Sequence, residues 1–476
     1  MNAPLRHIAV ACMLLFGLLM VNATYLQGVR ADELRSKSGN VRVLYQEYSH
    51  KRGPIVVDGK RVAYSKATND DLKYLRVYPQ GKLYAHATGF YSLYNASAIE
   101  REMNDVLAGT DGRFFVRRLI DMATGKQPRG GTVVLSLNPE AQQAAYEALQ
   151  GRPGAAVALD PQTGDILAMV STPSYDPNRL ASHDSEKVAK AYEQLDSMDS
   201  KPLLNRAISE VYAPGSTFKV ITAAAALSAG YEPSTIIPAP HQLNLPHTDD
   251  PLTNFENEVC SPDGRMSLLA ALRMSCNTAF ANLGMELGPE ALRKQAQKFG
   301  FGDTFEIPME SAPSHSVDTD TAPSSTAQSA IGQYSVRATP LQMAMVAGAI
   351  ANDGMVMKPH LVEKIQGPDL ATIDEVPPEE YGRAVSPDVA QDLTEMMTAV
   401  VESPQGTGGA ADIPGITVAG KSGTAEPAPE TAWFISFAPV QNPQVAVAVV
   451  VPEVGATGGQ VAAPIAQDIM EAVLQQ

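Results

Sequence analysis

The sequence predicts an α/β fold in which one sheet, assembled from distant segments, is covered by helices. Runs rich in β-forming residues occur at 155–170 and again at 432–451. Helical patterns fill the region between them, and a final helix is predicted at 462–474. Strands at both ends of a region with helices between them favour a single sheet built from both ends.

The elements of this region follow in chain order. Residues 155–160 and 166–170 are apolar runs separated by a turn at 162–165, which predicts a β-hairpin. The later β-rich runs are 432–438 and 445–451. Long polar stretches are predicted to be mobile loops, at 238–262 and 310–325. Helices are predicted at 216–229, 266–285, 289–299 and 340–352.

The preceding region, 29–150, is predicted to be a separate mixed α+β domain. Tyrosine-rich strand-like pieces occur at 41–45 and 82–84. Helices are predicted at 98–107, with Gly109 as the stop, and at 139–149. No catalytic pattern occurs here, and Gly151-Arg152-Pro153-Gly154 predicts a hinge before the second domain.

Composition limits the possible functions. A chain of 476 residues predicts two or three domains, and its 44% apolar content is that of a folded protein. The 36 basic and 52 acidic residues give a net charge of −16, which argues against broad nucleic-acid binding. Three cysteines exclude a disulfide scaffold and a cysteine-rich zinc module.

The first 28 residues contain an apolar segment that determines the predicted topology. Residues 8–21 are an unbroken apolar run. An uncleaved signal anchor, extended to about residue 26, approaches the ~20 residues that a bilayer requires. A cleaved secretory signal also fits, since 21–23 resembles a small-residue cleavage site. Both readings place residues 29–476 outside the cytoplasm.

The most informative motif is Ser216-Thr217-Phe218-Lys219. It follows a turn at Pro214-Gly215 and opens a helical run, so Lys219 lies one turn from Ser216 on the same face. A serine hydroxyl is a weak nucleophile until a base takes its proton, and a neutral lysine amine can be that base. The helix N-terminus adds N–H groups that suit a developing oxyanion.

Two further motifs follow in order. Ser275-Cys276-Asn277 and Lys421-Ser422-Gly423 complete the series S-x-x-K, S-x-N and K-[ST]-G. This series is typical of penicillin-binding proteins and serine β-lactamases. Taken singly, the second motif fits a helix cap and the third fits a polar turn. The three together, in this order, predict an acyl-transfer site.

On these motifs the chain resembles a class B penicillin-binding protein, a peptidoglycan D,D-transpeptidase, of the actinobacterial penicillin-binding protein A type. The resemblance covers nearly the whole chain. Supporting stretches are 52–55, 76–79, 131–137, 205–207, 331–333, 339–344 and 432–435. Two departures are Val56-Val57-Asp58-Gly59, where the family usually has Asp-Arg, and Tyr334, where many relatives have glycine.

The resemblance implies a role for each motif residue. Ser216 would attack the carbonyl of a terminal D-Ala-D-Ala, Lys219 would accept its proton, and Ser275 would relay that proton to the leaving amine. Asn277 would hold Lys219 and the substrate amide. Lys421 would begin a strand that receives the peptide by β-addition. The remaining assignments are substrate binding by Ser422, Gly423 and Thr424, and an oxyanion hole from the backbone N–H groups of Ser216 and Thr424.

The resemblance also implies an architecture and partners. It predicts a membrane segment at 1–28, a non-catalytic, dimerisation-like pedestal at 29–150, and a transpeptidase domain with a central antiparallel sheet at 151–476. The enzyme would be a single-pass protein of the cell membrane, cross-linking stem peptides during growth and division, with β-lactams as covalent inhibitors. No glycosyltransferase domain is evident, so glycan polymerisation is assigned to a separate protein, alongside division or elongation proteins.

Other functions and sites remain open on the sequence. A serine β-lactamase shares the motifs but needs a second base; Glu306 and Glu310 lie in the right interval without the expected context. A penicillin-sensing receptor would need a cytoplasmic effector, and only about seven residues precede the apolar run. Hydrolytic D,D-carboxypeptidase activity is not excluded. Neither cofactor nor metal is predicted, since His241 and His247 match no ligand pattern, and Trp433 is predicted to be core.

Cys260 and Cys276 are the two cysteines outside the apolar segment. An oxidising exterior makes a disulfide plausible, and a 16-residue separation corresponds to about 3 kcal/mol on the chain-entropy model. The alternative is that Cys276 is a buried free thiol. The sequence leaves both open, because it does not give the distance between the two Cα atoms.

Overall fold

The computed structural model describes residues 2–28, 30, 48–125, 129–149, 151–248, 251–426 and 429–475. The α-helices of this part of the chain are α1 Asn2–Gly28, α2 Gly81–Thr88, α3 Ala98–Glu102, α4 Asn104–Ala108, α5 Phe115–Thr124, α6 Pro139–Leu149, α7 Ser185–Asp196, α8 Arg206–Ser209, α9 Lys219–Ser228, α10 Leu268–Arg273, α11 Asn277–Leu287, α12 Pro289–Lys298, α13 Pro323–Ala330, α14 Pro340–Ala351, α15 Pro387–Glu402 and α16 Gly458–Leu474.

The strands are shorter and form several sheets. They are β1 Ile55–Val57, β2 Lys60–Ala67, β3 Tyr74–Val77, β4 Thr132–Leu135, β5 Gly154–Leu159, β6 Ile166–Thr172, β7 Ile236–Pro238, β8 Gln242–Leu243, β9 Leu252–Thr253, β10 Arg265–Ser267, β11 Met355–Met357, β12 Val362–Gln366, β13 Thr372–Glu375, β14 Glu380–Arg383, β15 Ala419–Ala425, β16 Thr431–Ala438 and β17 Val445–Val451.

A five-stranded sheet in the order β15-β16-β17-β5-β6 forms the centre of the C-terminal region. All its pairings are antiparallel, and β17, from the end of the chain, pairs with β5. Alternate residues of β17 point to opposite faces: Ala446, Ala448 and Val450 join one core, whereas Val447 and Val449 join the other. This confirms the predicted sheet and its β5–β6 hairpin.

Helices cover both faces of that sheet. On one face α14 packs on β17 and β5, and on the other α16 packs on β16, β17 and α6. The helix α16 begins four residues before the predicted start, because Thr457 and Gln460 form a capping box there. The buried helix α9 lies in the same core as α14 and carries the first motif at its start.

The N-terminal region contains a second sheet, in the order β13-β12-β4-β1-β2-β3. Its strands β12 and β13 come from residues 362–375, far along the chain, so the two regions share this sheet. Beneath it Glu100, fully buried, accepts hydrogen bonds from Arg52 Nε at 2.7 Å and Arg76 Nε at 2.5 Å. Burial opposes ionisation, but Arg76 and Arg52 outweigh it and lower the pKa of Glu100.

Three sequence predictions are wrong in detail. The helix predicted at 98–107 is two short helices, α3 and α4, which are separated at Met103. The strand-like triplet 82–84 lies in helix α2, where Leu83 and Tyr84 are buried beside β6; three residues are too few to reveal a period. The helix predicted at 266–285 is two helices, α10 and α11, because Ser275 adopts a positive φ of 60° between them. The strand predicted at 41–45 lies outside the described residues.

The N-terminal segment is helical, as expected. Within α1, residues 4–26 form a 23-residue apolar span with a mean hydropathy of 2.0, long enough to cross a membrane. None of this span is buried against the rest of the protein.

Candidate active site

Ser216 lies in a tight turn whose position is fixed by backbone contacts. Residues Gly215–Phe218 form a 3₁₀ turn that leads directly into α9, and Ser216 itself is half-buried. The Gly215 N–H donates to the carbonyl of Gly332 at 3.0 Å. A Cβ on Gly332, whose φ is +77°, would lie 2.0 Å from the Gly215 carbonyl oxygen. Only glycine at 332 therefore allows this approach.

The tryptophan that was predicted to lie in the core also forms a hydrogen bond. Trp433 on β16 is fully buried, and its indole Nε1 donates to the Ala213 carbonyl at 3.0 Å. Its ring also packs edge-on against Tyr212, with centroids 6.2 Å apart. The sheet thus holds the segment that precedes Ser216.

Lys219 is fully buried one turn after Ser216. Its Nζ donates to the Ser275 carbonyl at 2.7 Å, to Asn277 Oδ1 at 2.6 Å and to Ser275 Oγ at 3.4 Å. Burial lowers the pKa of Lys219 well below its usual range, and the nearby charge of Lys421 is the second cause of this shift. A lysine in this environment is suited to be a neutral base.

The second motif sits at the break between α10 and α11. The positive φ of Ser275 turns its hydroxyl and carbonyl toward Lys219. Asn277, the first residue of α11, also donates from Nδ2 to the Thr253 carbonyl at 3.3 Å. The break that sequence analysis missed is therefore the feature that presents this motif.

A disulfide joins Cys260 to Cys276, with Cα atoms 6.0 Å apart. It links the residue between Ser275 and Asn277 to the loop that precedes α10. A hydrogen bond from the Thr278 N–H to Asn254 Oδ1, 3.0 Å long, ties the same loop to α11.

Lys421, on β15, approaches Ser275 from the other side. Its Nζ donates to Ser275 Oγ at 2.9 Å and to the Ser422 carbonyl at 2.7 Å. Burial lowers the pKa of Lys421 to about 7. One serine hydroxyl therefore lies between two buried lysine amines, and a proton can pass along this path.

Strand β15 forms one wall of the site. Within the described residues it pairs only with β16, so its other edge is open to an added peptide strand. A Cβ on Gly423 would lie 2.8 Å from the Pro214 carbonyl oxygen, and one on Gly215 would lie 2.5 Å from that of Thr424. Gly423 thus lets β15 pack against the nucleophile turn.

The hydroxyl groups beside Lys421 come from separate segments. Ser422 Oγ donates to Thr407 Oγ1 at 2.6 Å, and Thr424 Oγ1 accepts from the Gly458 N–H at 3.4 Å. Thr407 follows α15 and belongs to none of the three motifs, so sequence analysis missed it. Together these hydroxyls suit a carboxylate.

A groove of about 980 Å³ runs past these groups. Ser216, Ser275, Asn277, Ser422 and Thr424 all line it, which places the three motifs on one cavity. Tyr334, with a φ of +58°, also lines it, so this departure from the family pattern faces the site. Ser216 Oγ has no hydrogen-bond partner among the described residues and is open to the groove.

The alternative second bases lie elsewhere. Glu306 and Glu310 line a different cavity, together with His86 and Asn205. The two histidines considered in the sequence analysis, His241 and His247, do not line the groove. His241 Nε2 lies 3.1 Å from the Asn257 carbonyl oxygen.

Comparisons with known proteins agree with this geometry. Residues 154–471 match the penicillin binding protein transpeptidase domain, and residues 52–133 match the penicillin binding protein A dimerisation domain. Peptidoglycan D,D-transpeptidase PbpA of Mycolicibacterium smegmatis is 47% identical over 496 residues, covering 100% of both chains. Its namesake in Mycobacterium tuberculosis is 46% identical over 495 residues, covering 100% of this chain and 99% of that protein.

Solved structures show the same likeness. The ceftriaxone acyl-enzyme complex of penicillin-binding protein A from M. tuberculosis superposes with a TM-score of 0.88 at 45% identity. The match covers 91% of this chain and 100% of that one. The imipenem acyl-enzyme complex of the same protein gives a TM-score of 0.87.

Proposed function

The chain belongs to the penicillin-binding protein transpeptidases, and on that premise we propose how its groove cross-links peptidoglycan. It is a peptidoglycan D,D-transpeptidase that works through a serine acyl-enzyme and is acylated by β-lactams. One observation carries the residue assignments: the Ser275 hydroxyl accepts hydrogen bonds from the amines of both Lys219 and Lys421. Ser275 also lines the same groove as Ser216.

Acylation begins at Ser216. Its Oγ attacks the carbonyl carbon of the penultimate D-Ala, while Lys219 Nζ accepts the hydroxyl proton. The backbone N–H groups of Ser216 and Thr424 stabilise the oxyanion of the tetrahedral intermediate. The peptide C–N bond then breaks, and the proton moves from Lys219 through Ser275 Oγ to the leaving D-Ala amine.

The second half-reaction reverses the proton path. An amine of a second stem peptide attacks the ester carbon, and its proton returns through the same groups to Ser216 Oγ as the C–O bond breaks. Asn277 keeps Lys219 in place throughout. Ser422 and Thr424, with Lys421, bind the carboxylate of the departing D-Ala. A β-lactam acylates Ser216 in the same way, but its leaving nitrogen stays attached to the adduct.

The proposed domain division is a membrane segment at 1–28, a pedestal at 29–150 and the transpeptidase at 151–476. Residues 4–26 would anchor the enzyme in the cell membrane, with the remainder outside the cytoplasm. The pedestal would space the site from the membrane and contact division or elongation proteins, and a separate glycosyltransferase would supply glycan strands. N-terminal sequencing of the membrane-bound protein distinguishes a retained anchor from a cleaved signal.

The test of the assignment is mass spectrometry after incubation with benzylpenicillin, followed by peptide mapping. One penicilloyl adduct is expected, on the peptide that contains Ser216, and it should be lost in Ser216→Ala. Ser234→Ala, a hydroxyl outside the groove, is the matched control and should acylate normally. An adduct on another residue, or unchanged labelling of Ser216→Ala, would overturn the assignment.

A further inference from the structure

A second cavity, of about 430 Å³, lies where the N-terminal region meets the transpeptidase region. One wall comes from α2 and α3, and the other comes from the segment 203–209 around α8 and the turn at 306–310. No described residue lines both this junction cavity and the groove that carries the three motifs. The junction cavity is therefore separate from the catalytic site.

His86, on α2, lines the junction cavity and is only 6% exposed. Its Nε2 lies 3.0 Å from the Pro202 carbonyl oxygen, and its ring packs edge-on against Tyr175, with centroids 5.6 Å apart. A carbonyl oxygen only accepts, so Nε2 carries the proton and donates it. Burial lowers the pKa of His86 to about 4, so at neutral pH the ring is uncharged and Nδ1 keeps its lone pair.

This Nδ1 is a hydrogen-bond acceptor that the fold leaves unused. It forms no hydrogen bond within the part of the chain that the structure describes. Pro202 does not line the junction cavity, so the Nε2 edge of the ring points away from it and the Nδ1 edge is left for the cavity. Because a buried acceptor without a partner costs free energy, His86 favours a ligand that donates a hydrogen bond.

Two carboxylates at the rim give the junction cavity a negative charge. Glu306 and Glu310 are opposite partners in an antiparallel bridge, and such partners direct their side chains to the same side. Both side chains are exposed, and both residues line the cavity. A donor that also carries a positive charge therefore fits this site better than a neutral one.

The positive groups nearby already have partners. Arg101 lies at the rim with Nη2 2.6 Å from Glu102 Oε1. Arg206, whose charge contributes to the low pKa of His86, lies 3.2 Å from Glu210 and does not line the cavity. Among the described residues no three metal-ligating side chains come together, so an organic cation fits better than a metal ion.

The rest of the lining suits an aliphatic chain. Ile208 and Met309 are buried apolar side chains of the two facing segments, and Leu203 lies beside them in the lining. Burial of methylene groups against these side chains adds to the affinity for a cation that carries a short hydrocarbon chain.

We propose that the junction cavity binds a primary ammonium group on a short aliphatic chain. One N–H donates to His86 Nδ1, and Glu306 and Glu310 balance the positive charge. This inference goes beyond the proposed function, because it uses no residue of the three motifs. The ammonium group can belong to a free diamine or to an amino side chain of a peptide, and in either case the ligand contacts both regions of the chain.

Probes with matched chains and different end groups test the charge. Cadaverine is a free five-carbon diamine, pentane-diol is its neutral counterpart, glutarate is its anionic counterpart, and Nα-acetyl-lysine amide carries the same amine on a peptide unit. Isothermal titration calorimetry of the full-length protein in detergent, at neutral pH and constant ionic strength, measures each Kd.

Both amines should bind roughly tenfold or more tightly than the diol and glutarate, the effect of one hydrogen bond from a charged donor. The amine that binds more tightly identifies the source of the ligand. Equal binding of the diol, or no binding of either amine, would overturn the proposal.

Substitutions locate the bound amine. The double variant Glu306→Gln and Glu310→Gln removes two exposed charges and should weaken cadaverine binding roughly fivefold. His86→Phe keeps an aromatic ring but removes the acceptor and should weaken it roughly tenfold. Glu193→Gln, on the exposed face of α7, is the matched control and should leave the Kd unchanged. Wild-type affinity in the double variant would overturn the proposal, even where His86→Phe fails to fold.

Acylation separates the junction cavity from the groove. Protein that has first been acylated with benzylpenicillin should bind cadaverine with the same Kd as the free protein, because the two sites share no described lining residue. Loss of cadaverine binding after acylation would place the amine in the groove and overturn the proposal.

Discussion

Replacing Lys219 by methionine removes the proposed base while filling nearly the same space. The lysine side chain is fully buried, so the substitution leaves little cavity. Acylation of Ser216 by benzylpenicillin should slow by about 10²–10⁴-fold, the usual effect of a lost general base. This corresponds to about 3–5 kcal/mol of transition-state stabilisation. A time course of intact mass measures it.

The pH dependence of acylation should change as well. Burial, and then the charge of Lys421, lower the pKa of Lys219, so its amine is neutral at a lower pH than an ordinary lysine. The wild-type rate should fall as the pH drops through this lowered pKa, because a protonated amine accepts no proton. The residual rate of Lys219→Met should lack this dependence.

Stability provides an independent readout of the same pKa. Between the lowered pKa and the ordinary value of about 10.4, Lys219 binds one more proton in the unfolded chain than in the native protein. This lysine therefore contributes a loss of about 1.4 kcal/mol of unfolding free energy for each pH unit of decrease in that window. As the pH falls through this window, the unfolding free energy of the wild type should decrease relative to that of Lys219→Met. Denaturant titrations of both proteins at several pH values measure this difference.

Lys298→Met, an exposed lysine at the end of α12, is the matched control and should alter neither acylation nor the pH dependence of stability. A wild-type acylation rate in Lys219→Met would refute the role of Lys219. A cooperative unfolding transition in that variant shows that a slow rate reflects lost chemistry rather than a lost fold.

Three further predictions concern the hydrogen bond of Asn277, the disulfide and the C-terminal helix. Asn277→Ala removes the hydrogen-bond acceptor that lies 2.6 Å from Lys219 Nζ, and it should slow acylation of Ser216 by roughly tenfold or more. The rate is measured with a fluorescent penicillin, and an unchanged rate would contradict a positioning role for Asn277. Cys276→Ser removes the bridge to Cys260 and should lower the unfolding free energy by about 3 kcal/mol in urea titrations, whereas Cys12→Ser should not. Alkylation of both Cys260 and Cys276 in the native protein under non-reducing conditions, located by peptide mapping, would rule the bridge out. Deleting α16 uncovers one face of β16 and β17 and should prevent folding, so a soluble, penicillin-binding chain ending at Pro452 would contradict the packing described above.

Local patterns were enough for much of the fold. The β5–β6 hairpin, the strands β16 and β17 and the helices α9, α12 and α14 each have a continuous pattern of residues, so their positions were predicted closely. The triplet at 82–84 and the break at Ser275 were not, because a short segment has no period and a positive φ at serine depends on the contacts around it.

The sequence by itself determined the acyl-transfer chemistry, since three short motifs in a fixed order carry the nucleophile, the amines and the hydroxyls. Only the tertiary structure decided how they meet. Ser275 lies between Lys219 and Lys421 because the α10–α11 break and β15 converge on α9. Thr407 comes from a segment outside the three motifs, and β12 and β13 join a sheet built mainly by the N-terminal region. Such contacts depend on long-range packing, and no local pattern of residues records which distant segments will become neighbours.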